Sequence, residues 1–190
     1  MDFISHLWLP IVVASVATFV LSAIIWMALP HHKGDFAGVP DEDGVMALLR
    51  KGNVGAGAYT IPHMSPETRK DKAKADAVMK KFAEGPGGIL YVFPKGPMNM
   101  GSMLGKQFVF FLVANTFVAA AAAHSIILNV PATFHHVFVV VGLVSFMMYF
   151  LGMVPESIWF GRPWRNLMSQ LVDAILYSAA TAAVFGWLWK

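Results

Sequence analysis

The sequence predicts an all-α membrane protein, a bundle of four transmembrane helices with a small α+β cytoplasmic insert between the first and second helices. Hydrophobic residues make up 57% of the 190-residue chain and charged residues only 13%, about half the charged share of a typical soluble protein. The charged residues are concentrated between residues 31 and 106. Elsewhere the chain consists largely of four apolar runs of roughly 20 residues each, which is the length that crosses a hydrocarbon core about 30 Å thick.

The predicted spans are residues 7–29, 106–128, 134–154 and 166–189. In the first span, Ser15, Thr18 and Ser22 share one narrow face, which suits close packing against another helix. The run Ala119–Ala123 gives the second span a similarly smooth surface. Only residues 129–133 separate the second and third spans, so these two are expected to be neighbours in the bundle.

The insert covers residues 31–105 and is predicted to lie in water. Its expected elements are a short helix that begins near Asp41, a strand over residues 55–62, a helix over residues 65–83 and a strand over residues 89–94. The two strands are expected to pair. A segment of about 75 residues forms only a marginal hydrophobic core, so the insert is expected to lean on the membrane helices.

Positive charges and tryptophans predict the orientation in the membrane. All but one of the 14 lysines and arginines lie between residues 31 and 106 or in the loop 155–165, and the exception is Lys190. Because cytoplasmic loops are enriched in Lys and Arg, the insert is predicted to be cytoplasmic and both termini to lie outside. The tryptophans are expected to anchor the two boundaries, Trp26, Trp159 and Trp164 on the insert side and Trp8, Trp187 and Trp189 on the opposite side.

Asp173 is the one formally charged residue in the interior of the predicted spans. An acidic side chain inside a membrane costs a few kcal/mol unless it is paired, protonated or reached by water. Helical spacing puts it on one face with three other polar residues, and this intramembrane polar face comprises Asn166, Gln170, Asp173 and Tyr177. Such a face must point into the bundle.

Two interpretations of Asp173 are compatible with the sequence. In the functional interpretation, its face forms a proton or ion relay or contacts a ligand. In the structural interpretation, it belongs to a buried network with polar residues of the other spans (Ser15, Thr18 and Asn115), and Lys106 or Arg165 reaches in as the counter-charge. A single carboxylate is weak evidence for transport, because a pathway needs more polar lining than this.

Histidines supply one candidate metal site. Four of them lie near the outer membrane face and come from three segments that are able to meet in space: His6, His124, His135 and His136. Together they offer enough imidazole nitrogens for a metal or haem site. They lack a ligand spacing such as His-x-x-x-His, and boundary histidines without a ligand are common. His31, His32 and His63 are assigned to the insert side.

Methionines supply a second candidate. Met98, Met100 and Met103 resemble a thioether cluster of the kind that suits Cu(I). Methionine is also an adaptable filler at a membrane boundary, so both interpretations stand. The chain contains no cysteine, which excludes disulfides, thiolate metal ligands and thiol nucleophiles. The sequence does not identify a cofactor.

The sequence gives little support for an enzyme or for a nucleic-acid-binding protein. No phosphate-binding loop, zinc-protease pattern or nucleophile–base order stands out. The lysine-rich helix over residues 65–83 has no aromatic residues interleaved with its bases, so nucleic acid is not an expected partner. Its cations suit either packing on the small sheet or lying along an anionic leaflet.

Four segments carry a family resemblance: LPHHKGDFAGVPDED (29–43), AYTIPHM (58–64), GPMNMGSMLGK (96–106) and SIWFGRPW (157–164). With them the chain resembles, over nearly its whole length, a family of small bacterial four-helix inner-membrane proteins of unknown function. The resemblance implies a bacterial inner membrane and the four-helix layout. It implies no activity, cofactor or site residues.

The leading functional hypothesis is a non-enzymatic accessory or scaffold component of a membrane assembly. Its expected partners are the lipid bilayer and another membrane protein or a second copy of the chain. One alternative is a small transporter or channel component that uses the polar face around Asp173. Another is a metal- or haem-binding membrane protein.

Overall fold

The computed structural model describes residues 3–126 and 132–189. The helices are α1 (Phe3–Ala28), α2 (Glu42–Lys51), α3 (Pro66–Lys70), α4 (Lys72–Glu84), α5 (Met100–Ile126), α6 (Phe134–Phe150), α7 (Val154–Trp159) and α8 (Trp164–Leu188). Strands β1 (Gly57–Ile61) and β2 (Gly88–Val92) form the sheet. Two 3-10 turns, Pro30–His32 and Leu151–Met153, follow α1 and α6.

Four helices are long and apolar enough to span a membrane, as the sequence predicts: α1, α5, α8 and the run from α6 through α7. Helix α5 begins six residues before the predicted boundary at residue 106, because the side chain of Asn99 accepts a hydrogen bond from the N–H of Ser102 at 2.9 Å and caps the first turn. The predicted end of the second span at residue 128 lies outside the described residues.

The four long helices pack in the cyclic order α1, α5, α6, α8. Helices α5 and α6 are neighbours, which confirms the prediction from their short link. Three alanines of the predicted smooth surface, Ala119, Ala122 and Ala123, are buried at helix contacts. Helix α6 approaches α8 so closely at Gly186 that a Cβ atom there would lie 2.8 Å from the ring of Phe134.

The buried residues fall into layers along the bundle. At the end where residues 29–36 and 154–163 leave the bundle, the layer is charged and contains Asp173. An aromatic cluster around Phe111, Tyr149 and Tyr177 follows. Beyond it lies a neutral polar layer, and the far half is an apolar cluster. The neutral layer consists of Ser15, Thr18, Asn115 and Thr181.

Residues 37–98 form a separate compact unit, here called the small unit. Strands β1 and β2 pair antiparallel, with Gly57 opposite Val92 and Ile61 opposite Gly88, so the predicted pairing is confirmed. The single helix predicted over residues 65–83 is two helices, because the side chain of Asp71 accepts from the N–H of Lys74 and starts a new one. No residue from 37 to 98 is buried.

Candidate metal centre

The charged layer joins the turn after α1 to the first half of α8. His31 and His32 end the 3-10 turn that Pro30 begins, and Pro30 suits this position because its φ angle is already helical. The turn is closed by the N–H of Lys33, which donates to the carbonyl of Pro30 at 3.0 Å. Both imidazole rings thereby reach the carboxylate of Asp173 on α8.

The carboxylate of Asp173 lies within hydrogen-bonding distance of both histidines. Its Oδ1 lies 2.8 Å from Nε2 of His31, and its Oδ2 lies 3.0 Å from Nε2 of His32. The hydroxyl of Tyr177, one turn further along α8, donates to Oδ2 over 3.4 Å. The carboxylate is only 2% exposed, and these three contacts offset the cost of taking it out of water.

Asp173 lies near one end of the bundle, although it is well inside its own helix. It is nine residues into α8, roughly 14 Å along the helix. Its partners His31 and His32, however, directly follow the end of α1 at Ala28. The first two turns of α8 therefore extend past the end of α1, and the carboxylate sits at the level where α1 stops.

His32 is held between two carboxylates. Its Nδ1 lies 2.7 Å from Oδ2 of Asp35, while its Nε2 faces Asp173. The indole of Trp26 stacks on the imidazole with ring centroids 3.9 Å apart and planes 10° from parallel. A neutral imidazole carries only one N–H, so it can donate to only one of the two carboxylates at a time.

Asp35 is fixed from the α8 side. The hydroxyl of Ser169 donates to its Oδ1 at 2.9 Å, and the amide of Asn166 donates to its main-chain carbonyl at 3.0 Å. Burial alone raises the pKa of Asp35, but the hydrogen bonds from His32 and Ser169 and the nearby charges of His32 and Arg165 outweigh it and hold the pKa below its ordinary value. Asp35 is therefore an anion at neutral pH.

The ligand atoms of His31, His32 and Asp173 all lie within 4.8 Å of one another. In the described ranges, 3–126 and 132–189, this is the only group of three or more histidine and acidic residues with such spacing. Two imidazole nitrogens and a carboxylate are a common ligand set for zinc and for non-haem iron. The charged layer is thus a candidate metal centre.

A cavity of about 510 Å³ adjoins the centre. Asp173 and Tyr177 belong to its wall as well as to the charged layer. Gln107 and Gln170 add two amides, and the rest of the lining is mainly aromatic, aliphatic and thioether side chains from α1, α5 and α8. The metal centre is therefore not sealed within the bundle.

The predicted polar face is largely drawn into this network. Asn166, Asp173 and Tyr177 are buried and hydrogen-bonded there, while Gln170 is half-buried and lines the cavity. The predicted counter-charge is corrected: the side chains that contact the Asp173 carboxylate are His31 and His32, not Lys106 or Arg165. Histidines supply the contact because the turn after α1 ends at the level of Asp173.

The predicted network with the other spans forms a separate layer. Thr18 and Thr181 face each other with 3.3 Å between their hydroxyl oxygens, and the amide of Asn115 donates to Ser15 at 3.2 Å. Tyr177, which bonds to Asp173, belongs to the aromatic cluster on the side of the charged layer. The predicted partners Ser15, Thr18 and Asn115 thus lie in the neutral layer, while the hydrogen-bond partners of Asp173 are His31, His32 and Tyr177.

The far-end histidines do not form such a centre among the described residues. His6, His124 and His135 are exposed, His136 is half-buried, and Nδ1 of His124 donates to the carbonyl of Ala120 at 2.7 Å. Met98 is exposed in the small unit, whereas Met100 and Met103 line the cavity in the bundle.

Five of the predicted tryptophan anchors have exposed side chains, namely Trp8, Trp26, Trp159, Trp164 and Trp187. Trp189 is half-buried and packs against the far apolar cluster. Trp26 has a second role as the ring that stacks on His32.

Comparison of the chain with protein-family models, with curated proteins and with solved structures gives no match. The family resemblance drawn from the four sequence segments therefore stays a prediction. Any assignment of function has to come from the charged layer and its surroundings.

Proposed function

We propose that this protein is a multi-pass protein of a bacterial inner membrane that binds a divalent transition-metal ion through His31, His32 and Asp173. The observation that carries the proposal is the convergence of the three ligand atoms within 4.8 Å, from two segments more than 130 residues apart. Their pairwise distances of 2.8 and 3.0 Å to Asp173 approach the spacing of ligands around one ion with bonds near 2.0–2.2 Å.

The surroundings support a metal ligand role for His32 in particular. A histidine that binds a metal usually donates its other ring N–H to a carboxylate, which fixes its tautomer and orientation. Asp35 stands in that position at 2.7 Å from Nδ1 of His32, and Ser169 in turn holds Asp35. Trp26 limits rotation of the ring by stacking on it.

The ligand set favours Zn²⁺ or Fe²⁺. It contains no sulfur, which Cu(I) prefers, and its two imidazoles are unlike the all-oxygen sites of Mg²⁺ and Ca²⁺. Three protein ligands leave at least one coordination position free, which is typical of sites that act on or pass on a ligand rather than of closed structural sites. The adjoining cavity gives that position room.

The orientation drawn from the Lys and Arg distribution puts the centre at the cytoplasmic boundary of the membrane. The ion then comes from the cytoplasm rather than from across the bilayer. In this setting the transporter alternative also uses Asp173, but the protein would move the bound ion across the membrane in addition to binding it. A metal-dependent flux in liposomes that disappears in Asp173→Asn would support that alternative.

The direct test is binding of Co²⁺, whose visible absorption reports its ligands. We expect the purified protein in lipid nanodiscs to bind one equivalent, and metal analysis of protein from native membranes to find bound Zn²⁺ or Fe²⁺. His31→Ala, His32→Ala and Asp173→Asn should each weaken Co²⁺ binding by more than the roughly 10–100-fold typical of lost supporting residues.

The controls are histidines elsewhere in the same chain. His124→Ala and the double variant His135→Ala/His136→Ala should bind Co²⁺ as the unaltered protein does, because these residues are not in the cluster. Absence of a cobalt band would contradict the proposal. If the band persists in His32→Ala and disappears in the His135→Ala/His136→Ala double variant, the metal is bound by the histidines at the far end of the bundle instead.

A second candidate function, partner binding through the small unit, is favoured by one observation. No residue from 37 to 98 is buried, and Phe93 and Met98 are 83% and 74% exposed. A unit of this size gains little hydrophobic stabilisation by itself, so a partner surface that covers these side chains would stabilise it. A photo-crosslinking residue at Phe93 should capture a protein in native membranes, with Lys72 as the control position, and equal labelling at both would count against it.

A further inference from the structure

The cavity beside Asp173 combines an apolar wall with a polar residue of the metal centre. Phe19, Leu104, Phe110 and Phe111 are among the apolar residues that line it, and Asp173 and Tyr177 are polar members of the same wall. A small hydrated ligand would leave most of this wall without a partner. A molecule with a hydrocarbon part and one polar head would contact both kinds of surface.

The size of the cavity suits a small occupant. Its volume of about 510 Å³ lies within the range of small-molecule sites. At the roughly 30 Å³ that one water molecule takes up in the liquid, this volume corresponds to about 17 non-hydrogen atoms, close to a single fatty acid of the length of myristate. The cavity is half open, so the end of a longer chain would extend out of it.

The charges favour an anionic head. A divalent ion at the centre is balanced by the carboxylates of Asp35 and Asp173. The guanidinium of Arg165 lies against the backbone at Gly34, next to Asp35, and adds a positive charge. A carboxylate head would neutralise that charge and fill the free coordination position of the metal.

We propose that the cavity binds a single-chain fatty acid whose carboxylate ligates the metal held by His31, His32 and Asp173. The proposal rests on the metal-binding function proposed above. The chain of the fatty acid packs among the aromatic and thioether side chains of the wall, and Asp173 is the residue that the two sites share.

The experiment is a titration of Co²⁺-loaded protein in zwitterionic nanodiscs with myristate, acetate, methyl myristate and lysophosphatidate, followed by the cobalt absorption. Myristate should shift the band at a concentration at least about tenfold lower than acetate, because burial of the chain adds about 0.8 kcal/mol per CH₂ group. Methyl myristate lacks the carboxylate and should leave the band unchanged.

A cavity-filling variant separates the two sites. Ala23→Phe places a ring into the cavity wall and should weaken the response to myristate about tenfold or more, while Co²⁺ binding stays as in the unaltered protein. Val20→Phe is the matched control, since Val20 is an exposed residue of the same helix outside the cavity lining.

Each other outcome overturns the inference in a recognisable way. Equal responses to acetate and myristate would mean that the cavity contributes nothing. A stronger response to lysophosphatidate than to myristate would assign a phosphate head instead of a carboxylate. A cobalt band insensitive to every compound would overturn the fatty-acid site alone, whereas absence of the band would overturn the metal site and the inference together.

Discussion

The bundle contains two buried polar layers that differ in how their polar atoms are paired. In the charged layer, both oxygens of Asp173, both of Asp35 and both nitrogens of His32 have partners. In and beside the neutral layer, the side-chain oxygens of Asn115 and Ser145 have no partner within hydrogen-bonding geometry. The polar atoms are therefore fully paired in the layer that carries charge and incompletely paired in the layer that does not.

The difference reflects the cost of each kind of group. An unpaired charge in a low-dielectric interior costs far more than an unpaired hydroxyl or amide. The charged layer is therefore placed where the turn after α1 supplies loop side chains and where α8 extends past the end of α1. The neutral layer lies between the aromatic and apolar clusters, where helix side chains alone are at hand.

The largest expected effect comes from Asp173→Ala compared with Thr181→Val. Removing the carboxylate leaves the buried imidazole of His32 and the half-buried imidazole of His31 without their acceptor, which typically costs about 3–5 kcal/mol. Removing one hydroxyl of the neutral layer typically costs about 0.6 kcal/mol in membrane bundles. Thermal unfolding followed by tryptophan fluorescence should therefore show a Tm lower by roughly 10 °C for Asp173→Ala and by a degree or two for Thr181→Val.

Asp173→Asn sharpens this prediction, because it keeps the shape and one acceptor but removes the charge. It should lose metal binding yet recover part of the lost Tm. Equal Tm values for Asp173→Ala and Thr181→Val would mean that the charge of Asp173 is not supported by the histidines.

The next effect concerns Asp35, which contacts the proposed ligand His32 but is not itself a proposed ligand. Asp35→Ala should weaken Co²⁺ binding about 10–100-fold, since residues that orient metal-binding histidines contribute this much. Asp35→Asn keeps an acceptor for Nδ1 of His32, so its Co²⁺ affinity should lie between those of the unaltered protein and Asp35→Ala. Asp76→Ala, an exposed acid of α4, is the control for loss of one negative charge. Unchanged affinity in Asp35→Ala would remove Asp35 from the metal centre.

A matched pair of tyrosines compares the two layers through the same chemical change. The hydroxyl of Tyr177 donates to Asp173, whereas that of Tyr149 faces Thr18, Thr181 and Asn115 of the neutral layer without a well-aligned hydrogen bond. Tyr177→Phe should therefore cost about 1 kcal/mol, since the bond is long, and Tyr149→Phe should cost less, since its hydroxyl faces only neutral groups. Tm measurements in the same detergent check the difference, and a loss in Tyr149→Phe at least equal to that in Tyr177→Phe would contradict it.

The sequence predicted the helices because a membrane span requires a long apolar run almost free of charge, and four such runs stand out in this chain. It also predicted that Asp173, Asn166 and Tyr177 share an inward face, since positions within one helix follow its period. The helix ends were less predictable. At α5 the capping side chain of Asn99 lies outside the apolar run, so hydropathy does not detect it.

The partners of Asp173 escaped the sequence argument because they lie 141 and 142 residues away in a turn without a period. His31 and His32 were assigned to the insert side, and Asp173 was assigned to the interior of the fourth span. One signal does exist: two histidines and an acid, His31, His32 and Asp35, directly follow the first span. These residues form a site with Asp173 only because α1 ends at the level of Asp173 on α8, and the sequence does not show how the two helices are aligned.

The smallest expected effect is a change at Arg165 that should alter the affinity for the metal ion and the affinity for the fatty acid in opposite directions. Arg165 lies beside Asp35 at the solvent-exposed start of α8, so its charge repels a bound cation and attracts an anionic head. Arg165→Gln should therefore strengthen Co²⁺ binding about threefold, or about 0.6 kcal/mol for an exposed charge, and weaken the response to myristate by a similar factor. Arg162→Gln removes the same charge from the loop before α8, and it should change the Co²⁺ affinity and the response to myristate less than Arg165→Gln does. A shift of both affinities in the same direction would mean that Arg165 acts through the geometry of Asp35 rather than through its charge, because a distorted site would weaken both ligands together.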